Sequence, residues 1–320
     1  RPAEGDVGAF QSISTNVSSF SIGASANFNT FTLMHNTIKN DILNGDTIEA
    51  EFLSGTHSIA GYTEPKEVNH SYVLKAHASA YHNGDWNSGV NFSGGSMIPT
   101  PGDSSFSLTL KDIVVRNHEA GVLMRTYGTT NKSGAYKYST ILDSCLIETG
   151  SRFVFNNAWT GGQTLDDSGN VVEVHDRLLE FRNCAIHGLP SCQYVGVWGS
   201  VSPQGCAHIE ANCIGTTFAK LDPTGAAMNG FFDLAYGGNA EDGSLTYNIS
   251  GSLIGGQFTH FTDIFQGNGL NAPKVFNFAD SVFDDFPLND PVVINKTVNK
   301  TNVTTFRQNT NLTSVPFNFD

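Results

Sequence analysis

The stretch GDTIEAEFLSGTHSI, residues 45–59, decides the fold, because it carries the first clear strand pattern of the chain. Its apolar Ile48, Ala50 and Phe52 alternate with Glu49 and Glu51, which is the period-two pattern of a half-buried strand. A Ser-Gly-Thr turn and a second short run follow directly. We therefore expect two consecutive strands joined by a tight turn.

A short amphipathic helix is predicted directly before this strand, over residues 30–44. Asn29 or Thr30 can cap its start and Gly45 can stop it. The apolar residues that recur there at intervals of three and four are Phe31, Met34, Ile38 and Ile42. The helix is expected to cap one end of the sheet structure that follows.

The composition favours one long β-rich domain. The chain has 320 residues, of which 33 are glycine and only 15% are charged, so solubility comes from neutral polar groups and many turns. We expect an N-terminal extension over residues 1–29, a repeat domain over 30–290, and a Thr/Asn-rich C-terminal cap or linking strand over 291–320.

Charge and hydropathy exclude two classes of partner. The net charge of −13 and the lack of a basic stripe argue against nucleic acid, which binds through clustered Lys and Arg. No apolar run reaches the length of about 20 residues that a membrane-spanning helix needs. The first residue is Arg1, so we expect either a processed form or a fragment.

A repeated segment form recurs along the chain, with a small polar residue between two apolar positions. The six polar anchors are Asp112, Asp143, Asn183, Asn212, Ser250 and Asp280, and subtraction gives spacings of 31, 40, 29, 38 and 30 residues. These spacings are typical of solenoid coils with loops of variable length. At the corners of such coils, Asn, Ser and Cys can form ladders of like residues along the axis, and we expect Asn183 and Asn212 to serve that structural role.

The entry pattern and these coils resemble the right-handed parallel β-helix of the pectin-lyase-like superfamily. The resemblance lies in Gly-Asp-Thr-Ile at residues 45–48, Gly55, Thr56 and the coils marked Arg-Asn-Cys and Ala-Asn-Cys. It implies an all-β right-handed parallel β-helix, a solenoid with a short N-terminal capping helix. It implies no single activity, because the superfamily contains lyases, hydrolases, tailspikes, adhesins and inert surface proteins, and the Gly-His-Gly, Arg-Ile-Lys and lyase-type arginine motifs are absent here.

The five cysteines all lie between Cys145 and Cys213. Cys145, Cys184 and Cys213 fall at near-equivalent coil positions and are expected to be buried and free. Cys192 and Cys206 lie in a Gly/Pro/Ser-rich connection and are the expected disulfide pair. No Cys-x-x-Cys unit is present, so a zinc site is not expected.

Nine Asn-x-Ser/Thr sequons mark candidate glycosylation sites. Their asparagines are Asn16, Asn69, Asn91, Asn131, Asn248, Asn295, Asn299, Asn302 and Asn311. Four of them cluster after residue 294 in a polar stretch that predicts either a glycan-bearing tail or a Thr-rich edge strand or linker.

Acidic residues concentrate in the two longest connections. One contains Asp166, Asp167, Glu173, His175, Asp176 and Arg177, and the other contains Asp233, Glu241 and Asp242. If both loops leave the same corner, they can wall a groove in which carboxylates act as acid and base or hold Ca²⁺. The alternative is that both are solvated turns, which their Gly and Ser content alone explains.

Aromatic residues recur about 15 residues after the anchors. Tyr127, Trp159, Trp198 and Phe265 follow this spacing, and Tyr236 lies beside the second acidic loop. Aromatic residues aligned at this offset are suited to stacking on sugar rings, although Ala227 breaks the series after Asn212, and the alternative is an aromatic stack inside the core or under a loop. The candidate glycan-binding residues are Tyr127, Trp159, Trp198 and Tyr236.

The sequence predicts a secreted or surface-exposed β-helix protein with a structural, assembly or glycan-binding role, located outside the cell or on a cell or virion surface. The alternative is a polysaccharide lyase or glycoside hydrolase that uses the acidic loops. The expected partners are a polysaccharide or glycan and further copies of the chain, with no cofactor other than Ca²⁺.

Overall fold

A computed structural model describes sixteen segments of the chain. They are residues 16–59, 68–93, 98–100, 104–116, 124–126, 137–149, 158–159, 163–165, 171–188, 199–200, 207–220, 232–233, 244–255, 262–263, 274–284 and 296–306. Within these residues, no helix combines the length and the apolar character that crossing a membrane requires.

The described residues form one α-helix, one short 3₁₀ turn at Ala78–Ala80 and many short strands. The helix α1 is Phe31–Ile38. The first strands in chain order are β1 (Val17–Ile22), β2 (Asp46–Phe52), β3 (Gly55–His57), β4 (His70–Ala76), β5 (Val90–Ser93), β6 (Ile98–Thr100), β7 (Phe106–Lys111), β8 (Val114–Arg116), β9 (Met124–Thr126), β10 (Lys137–Asp143), β11 (Leu146–Thr149), β12 (Ala158–Trp159) and β13 (Gln163–Leu165). The remaining strands are β14 (Val171–Arg182), β15 (Ala185–Gly188), β16 (Gly199–Ser200), β17 (Ala207–Ile214), β18 (Thr217–Lys220), β19 (Phe232–Asp233), β20 (Ser244–Ser250), β21 (Leu253–Gly255), β22 (Thr262–Asp263), β23 (Lys274–Ala279), β24 (Val282–Asp284), β25 (Lys296–Thr301) and β26 (Thr304–Phe306).

These strands build the predicted all-β parallel β-helix, in which each turn of the chain is one rung. Sheet 1 has the order β1-β2-β4-β7-β10-β14-β17-β20-β23-β25, and sheet 2 has the order β3-β5-β8-β11-β15-β18-β21-β24-β26. Both sheets are parallel throughout, and β13 adds one antiparallel pairing to β14. Short parallel pairs, β6 with β9, β12 with β16, and β19 with β22, lie outside the two long sheets.

The paired strands extend beyond the range expected for the repeat domain. Strand β1 pairs with β2 ahead of residue 30, and β25 and β26 pair with β23 and β24 after residue 290. Residues 296–306 therefore form an ordinary rung. Among the described rungs, the inward position of Phe278 is followed by the exposed Lys300, so the apolar row of the described strands stops at Phe278.

The core lies between the two sheets and consists of rows of apolar side chains along the axis. One inward row of sheet 1 contains Leu74, Leu110, Leu142, Phe181, Cys213, Ile249 and Phe278, and all of them are buried. Sheet 2 contributes Phe92, Val115, Ile147, Ile186, Phe218, Ile254 and Phe283. The rings of Tyr247 and Phe276 stack with centroids 5.0 Å apart, as expected for paired positions on neighbouring rungs.

The predicted helix exists but is shorter than expected. It begins after Thr30, whose hydroxyl accepts the N–H of Leu33, and it ends at Ile38 rather than near residue 44. Ile42 is nevertheless buried, because the turn after the helix also packs on the core. Its burial explains why the apolar spacing continued past the end of the helix.

From β7 onward, each described rung turns from its strand in sheet 1 to its strand in sheet 2 at one residue whose backbone is in the left-handed region. These corner residues are Asp112, Ser144, Asn183, Gly215, Gly251, Asp280 and Asn302, with φ between 49° and 57°. Gly, Asn and Asp tolerate this conformation best. At Gly215 a Cβ would lie only 2.8 Å from Oδ1 of Asn183 on the rung before, so this corner also lacks room for a side chain.

Three of the six polar anchors, Asp112, Asn183 and Asp280, are corner residues, and of the two asparagines expected at corners only Asn183 is one. Asp143 and Ser250 end strands one residue before the corners, whereas Asn212, which was expected at a corner, lies inside β17, three residues before its corner. The residue types that suit a left-handed corner also occur in these strands, so residue type alone did not locate the corner.

A buried row of side chains, here called the corner row, follows the corner residues directly. It contains Ile113, Cys145, Cys184, Thr216, Ser252 and Ser281. Each polar member bonds to backbone carbonyls of its own rung and of the rung before, as Ser252 Oγ does to Ser250 O (2.8 Å) and Cys213 O (3.3 Å). Each hydroxyl also accepts the N–H of the previous member, as Ser252 Oγ does from Thr216 (3.1 Å).

Two of the three described cysteines belong to the corner row. Cys145 and Cys184 are equivalent members of it, whereas Cys213 lies in the inward row of sheet 1 next to Phe181. All three are buried and free, as expected, but Cys213 is not at the equivalent position. Burial raises the pKa of the Cys145 and Cys213 thiols, so both are held as neutral thiols.

Candidate functional site

The rung formed by β4 and β5 replaces the usual tight corner with a long loop, which we call the corner loop (residues 77–89). It begins where β4 ends at Ala76 and returns at Val90 on β5. Long ordered loops on a rigid scaffold are the usual carriers of binding function. The corner loop is therefore a candidate binding site.

Internal hydrogen bonds fix the shape of the corner loop. Nδ1 of His82 accepts the N–H of Gly84 (3.0 Å), Oδ1 of Asp85 accepts the N–H of Asn87 (2.9 Å), and Oγ of Ser88 donates to the carbonyl of His82 (2.9 Å). At its base, Gly89 has φ +78°, and a Cβ there would lie 2.8 Å from the carbonyl oxygen of Ala80. The loop thus closes tightly on itself.

The corner loop runs along the axis and contacts the next three rungs. Because Nδ1 of His82 is an acceptor, its Nε2 carries the proton and donates to the carbonyl of the corner residue Ser144 (2.8 Å). Nη2 of Arg116 on β8 donates to Oδ1 of Asn87 (3.1 Å). The ring of Trp86 meets His187 on β15 edge to face, with centroids 6.3 Å apart.

The corner loop explains two buried residues on the outside of sheet 2. Val114 and Leu146 are paired on β8 and β11 in an outward row, yet they are only 0% and 7% exposed and lie outside the main core cluster. Leu253, farther along the same row, is half-buried. We attribute the difference to the corner loop, which contacts Arg116 on the strand of Val114, Ser144 two residues before Leu146, and His187 on the next strand of the sheet.

The outer surface of the corner loop combines aromatic and polar groups. Tyr81 is 44% exposed, Asn83 and Asp85 are exposed, and Trp86 is half-buried. On the adjoining face of sheet 2, Glu148 pairs with His187. Desolvation is the largest cause that raises the pKa of Asp112, while Lys111 and His82 oppose the rise. The corner loop thus carries both aromatic and hydrogen-bonding groups on a frame fixed by its own hydrogen bonds.

A second polar feature, here called the amide row, lies on the outer face of sheet 1. It contains Glu180, Asn212, Asn248, Asn277 and Asn299, which are paired positions on five consecutive strands. Nδ2 of Asn248, Asn277 and Asn299 each donates to Oδ1 of the preceding asparagine at 2.8 Å. Every asparagine thus donates toward the N-terminal end of the row.

A row with this direction needs an acceptor at its N-terminal end, and carboxylates provide it. Nδ2 of Asn212 donates to Glu180 Oε2 and to Glu210 Oε1, both at 3.0 Å, and Nδ2 of Asn248 also reaches Glu210 Oε1 at 3.2 Å. An ionised carboxylate only accepts, so it terminates the row without a mismatch. Arg182 also bonds the buried Glu180. We assign the amide row a structural role, as expected for Asn212.

The predicted catalytic candidates are only partly within the described residues. His175, Asp176 and Arg177 lie in β14, where its N-terminal part forms an antiparallel hairpin with β13. Asp166 and Asp167 lie outside the described residues, as do Glu241 and Asp242. Among the described residues, no group of three or more His, Cys, Asp or Glu side chains is arranged to hold a metal ion.

The pairing of β12 with β16 differs from the register that was expected for the aromatic residues. Trp159 ends β12 and pairs with Ser200 of β16 rather than with Trp198. Trp198 precedes Gly199, which pairs with Ala158, so the two tryptophans do not occupy paired positions. Tyr127, Trp198 and Tyr236 lie outside the described residues, and so do the expected disulfide partners Cys192 and Cys206.

The described sequons fall into different surroundings. Asn16 and Asn69 directly precede strands and are exposed, Asn91 lies in β5, Asn248 and Asn299 belong to the amide row, and Asn302 is a corner residue. Asn131, Asn295 and Asn311 lie outside the described residues.

Sequence reasoning missed Trp86, which lies in the stretch YHNGDWNSG between two strand patterns. The many turn-forming residues around this aromatic residue were the signal that could have indicated it.

Comparison with known proteins found no matching family model, no matching curated protein and no matching solved structure.

Proposed function

We propose that this protein is a glycan-binding β-helix that acts outside the cell or on a cell or virion surface. The observation that carries the proposal is the corner loop, which holds the exposed Tyr81 and the half-buried Trp86 on a frame fixed by hydrogen bonds. The resemblance of the entry motif to the pectin-lyase-like superfamily is compatible with a polysaccharide ligand, because that superfamily includes polysaccharide lyases and related hydrolases, but it does not select this ligand class.

The chemistry of the corner loop suits sugar rings. The C–H faces of a pyranose are apolar and stack on aromatic rings, while its hydroxyl groups need donors and acceptors of both kinds. Tyr81 and Trp86 supply the aromatic surface, and the exposed Asn83 and Asp85 of the same loop supply polar groups. Because the loop is already ordered, little conformational entropy is lost on binding.

The test is affinity electrophoresis in gels that contain polygalacturonate, alginate or hydroxyethyl cellulose, each with and without Ca²⁺. We expect at least one polymer to retard the protein, and we expect Tyr81→Ala to weaken the retardation about fivefold, since a stacked ring contributes about 1 kcal/mol. Leu33→Ala is the matched control, because Leu33 is a 51% exposed apolar residue on α1, away from the loop in sequence.

Three outcomes would contradict the proposal: no retardation by any polymer, equal effects of Tyr81→Ala and Leu33→Ala, or release of unsaturated or reducing sugar ends. The last would instead favour a lyase or a hydrolase. Trp86→Ala is less suitable as the first variant, since Trp86 also packs against His187.

A further inference from the structure

The six sequons in the described residues differ in what their amide nitrogens already do. N-glycosylation attaches the sugar to Nδ2 of asparagine. Among hydrogen bonds between described residues, none uses Nδ2 of Asn16 or Asn69; Oδ1 of Asn69 accepts the N–H of Ser105 (2.7 Å), which leaves Nδ2 for attachment. Both residues are exposed and immediately precede strands.

Asn248 is the opposite case. Its Nδ2 donates to Oδ1 of Asn212 at 2.8 Å and to Oε1 of Glu210 at 3.2 Å, so both of its N–H groups are used. Its own Oδ1 accepts from Asn277 on the next rung. Neighbouring strands are about 4.8 Å apart, so the amide lies between two close neighbours along the row.

We propose that the fold sorts its sequons, with Asn16 and Asn69 as the glycan acceptors and Asn248 unmodified in the folded protein. In the reaction, Nδ2 forms a bond to the anomeric carbon of a lipid-linked oligosaccharide, the bond from that carbon to the lipid pyrophosphate breaks, the pyrophosphate leaves and Nδ2 loses one proton. Only one N–H then remains. At Asn248 that removes a bond to the row, whereas at Asn16 and Asn69 it removes none between described residues.

The proposal is independent of glycan binding by the corner loop, because it concerns glycans attached to the chain itself. It is tested by secreting the full chain from a eukaryotic host and measuring site occupancy by mass spectrometry after enzymatic deglycosylation in H₂¹⁸O. We expect ¹⁸O-labelled Asp at positions 16 and 69 and unlabelled Asn248 in the folded, monodisperse fraction.

Matched variants remove the sequon hydroxyl while they keep each asparagine. Ser18→Ala and Ser71→Ala should each lower the intact mass by one glycan, and Ser250→Ala should change it only by the lost oxygen. A glycan on Asn248 of the folded fraction, or glycan masses that Ser18→Ala and Ser71→Ala leave unchanged, would overturn the proposal. A secreted protein without any glycan at Asn16 and Asn69 would overturn it equally.

Discussion

The corner row and the amide row are both ladders of polar side chains that climb the same solenoid, but they differ in burial. Thr216, Ser252 and Ser281 of the corner row are 0%, 4% and 1% exposed, and their hydroxyl groups bond to backbone groups. In the amide row, burial falls from Asn212, which is 7% exposed, to Asn299, which is exposed, and the side chains bond to one another.

The difference teaches that the value of a polar ladder depends on what its loss would leave behind. A buried carbonyl or N–H that loses its partner cannot turn to water, so it keeps the full desolvation cost. An exposed amide that loses its neighbour is hydrated instead. We therefore expect the corner row to contribute more stability for each residue than the amide row.

The largest effect is expected for Thr216→Val, which keeps the side-chain volume and removes the hydroxyl. Oγ1 of Thr216 donates to the carbonyl of Phe181 or Ile214 and accepts the N–H of Cys184. Its removal should lower the free energy of unfolding by about 2 kcal/mol, because buried backbone groups lose their partner. Urea unfolding followed by circular dichroism measures the change.

The control for this prediction is Thr217→Val at the next position in the chain. Thr217 begins β18 and is half-buried, so the same substitution should change the free energy of unfolding by less than about 0.5 kcal/mol. Equal losses at both positions would mean that the corner row has no special value.

A smaller effect is expected in the amide row, with a gradient along it. Asn248→Ala removes two donated bonds and one accepted bond and should cost about 1 kcal/mol of unfolding free energy. Asn299→Ala, at the exposed end, removes one donated bond and should cost only a few tenths of a kcal/mol. Thermal or urea unfolding of the two variants side by side tests the gradient, and a larger loss at Asn299 than at Asn248 would contradict it.

The sequence predicted the solenoid correctly because the alternation of apolar residues within a strand and the spacing between coils are patterns that recur in each described rung. It also predicted ladders, but it placed Asn183 and Asn212 in one ladder, whereas Asn183 forms a corner and Asn212 lies in the amide row. Both positions favour a short polar side chain, so the residue type did not separate them. Only the register of strand pairing distinguishes the two surroundings.

The candidate site was less predictable than the fold. The corner loop has no hydrophobic period, and its contacts join His82 to Ser144 and Trp86 to His187, far apart in the chain. Such contacts depend on how rungs of unequal length stack. The polar character of residues 77–89 indicated a loop, but nothing in their order indicated that the loop runs along the axis.

The smallest effect is expected where charged residues occupy the outer face of sheet 1 near its N-terminal end. Glu49 lies opposite Ser19 and Val73, and Nζ of Lys75 contacts it at 2.8 Å and Glu51 at 3.0 Å. The hydrogen bond from Lys75 is the first cause that lowers the pKa of Glu49, although partial burial opposes it. The groups are partly exposed, so the pair is expected to contribute no more than a few tenths of a kcal/mol.

The direction of its pH dependence follows from the lowered pKa of Glu49. The folded protein holds this proton less tightly than the unfolded chain, so the stabilisation is fully present above the ordinary glutamate pKa of the unfolded chain and is lost as the pH falls through the lowered pKa of the folded protein. Unfolding of the wild type and of Glu49→Gln should therefore differ slightly at pH 7 in low salt and converge toward pH 3. Molar NaCl should shrink the difference at pH 7, because salt screens exposed ion pairs. A difference that persists unchanged at pH 3 and in high salt would contradict this prediction, because it would show that Glu49 stabilises the protein through packing rather than through its charge.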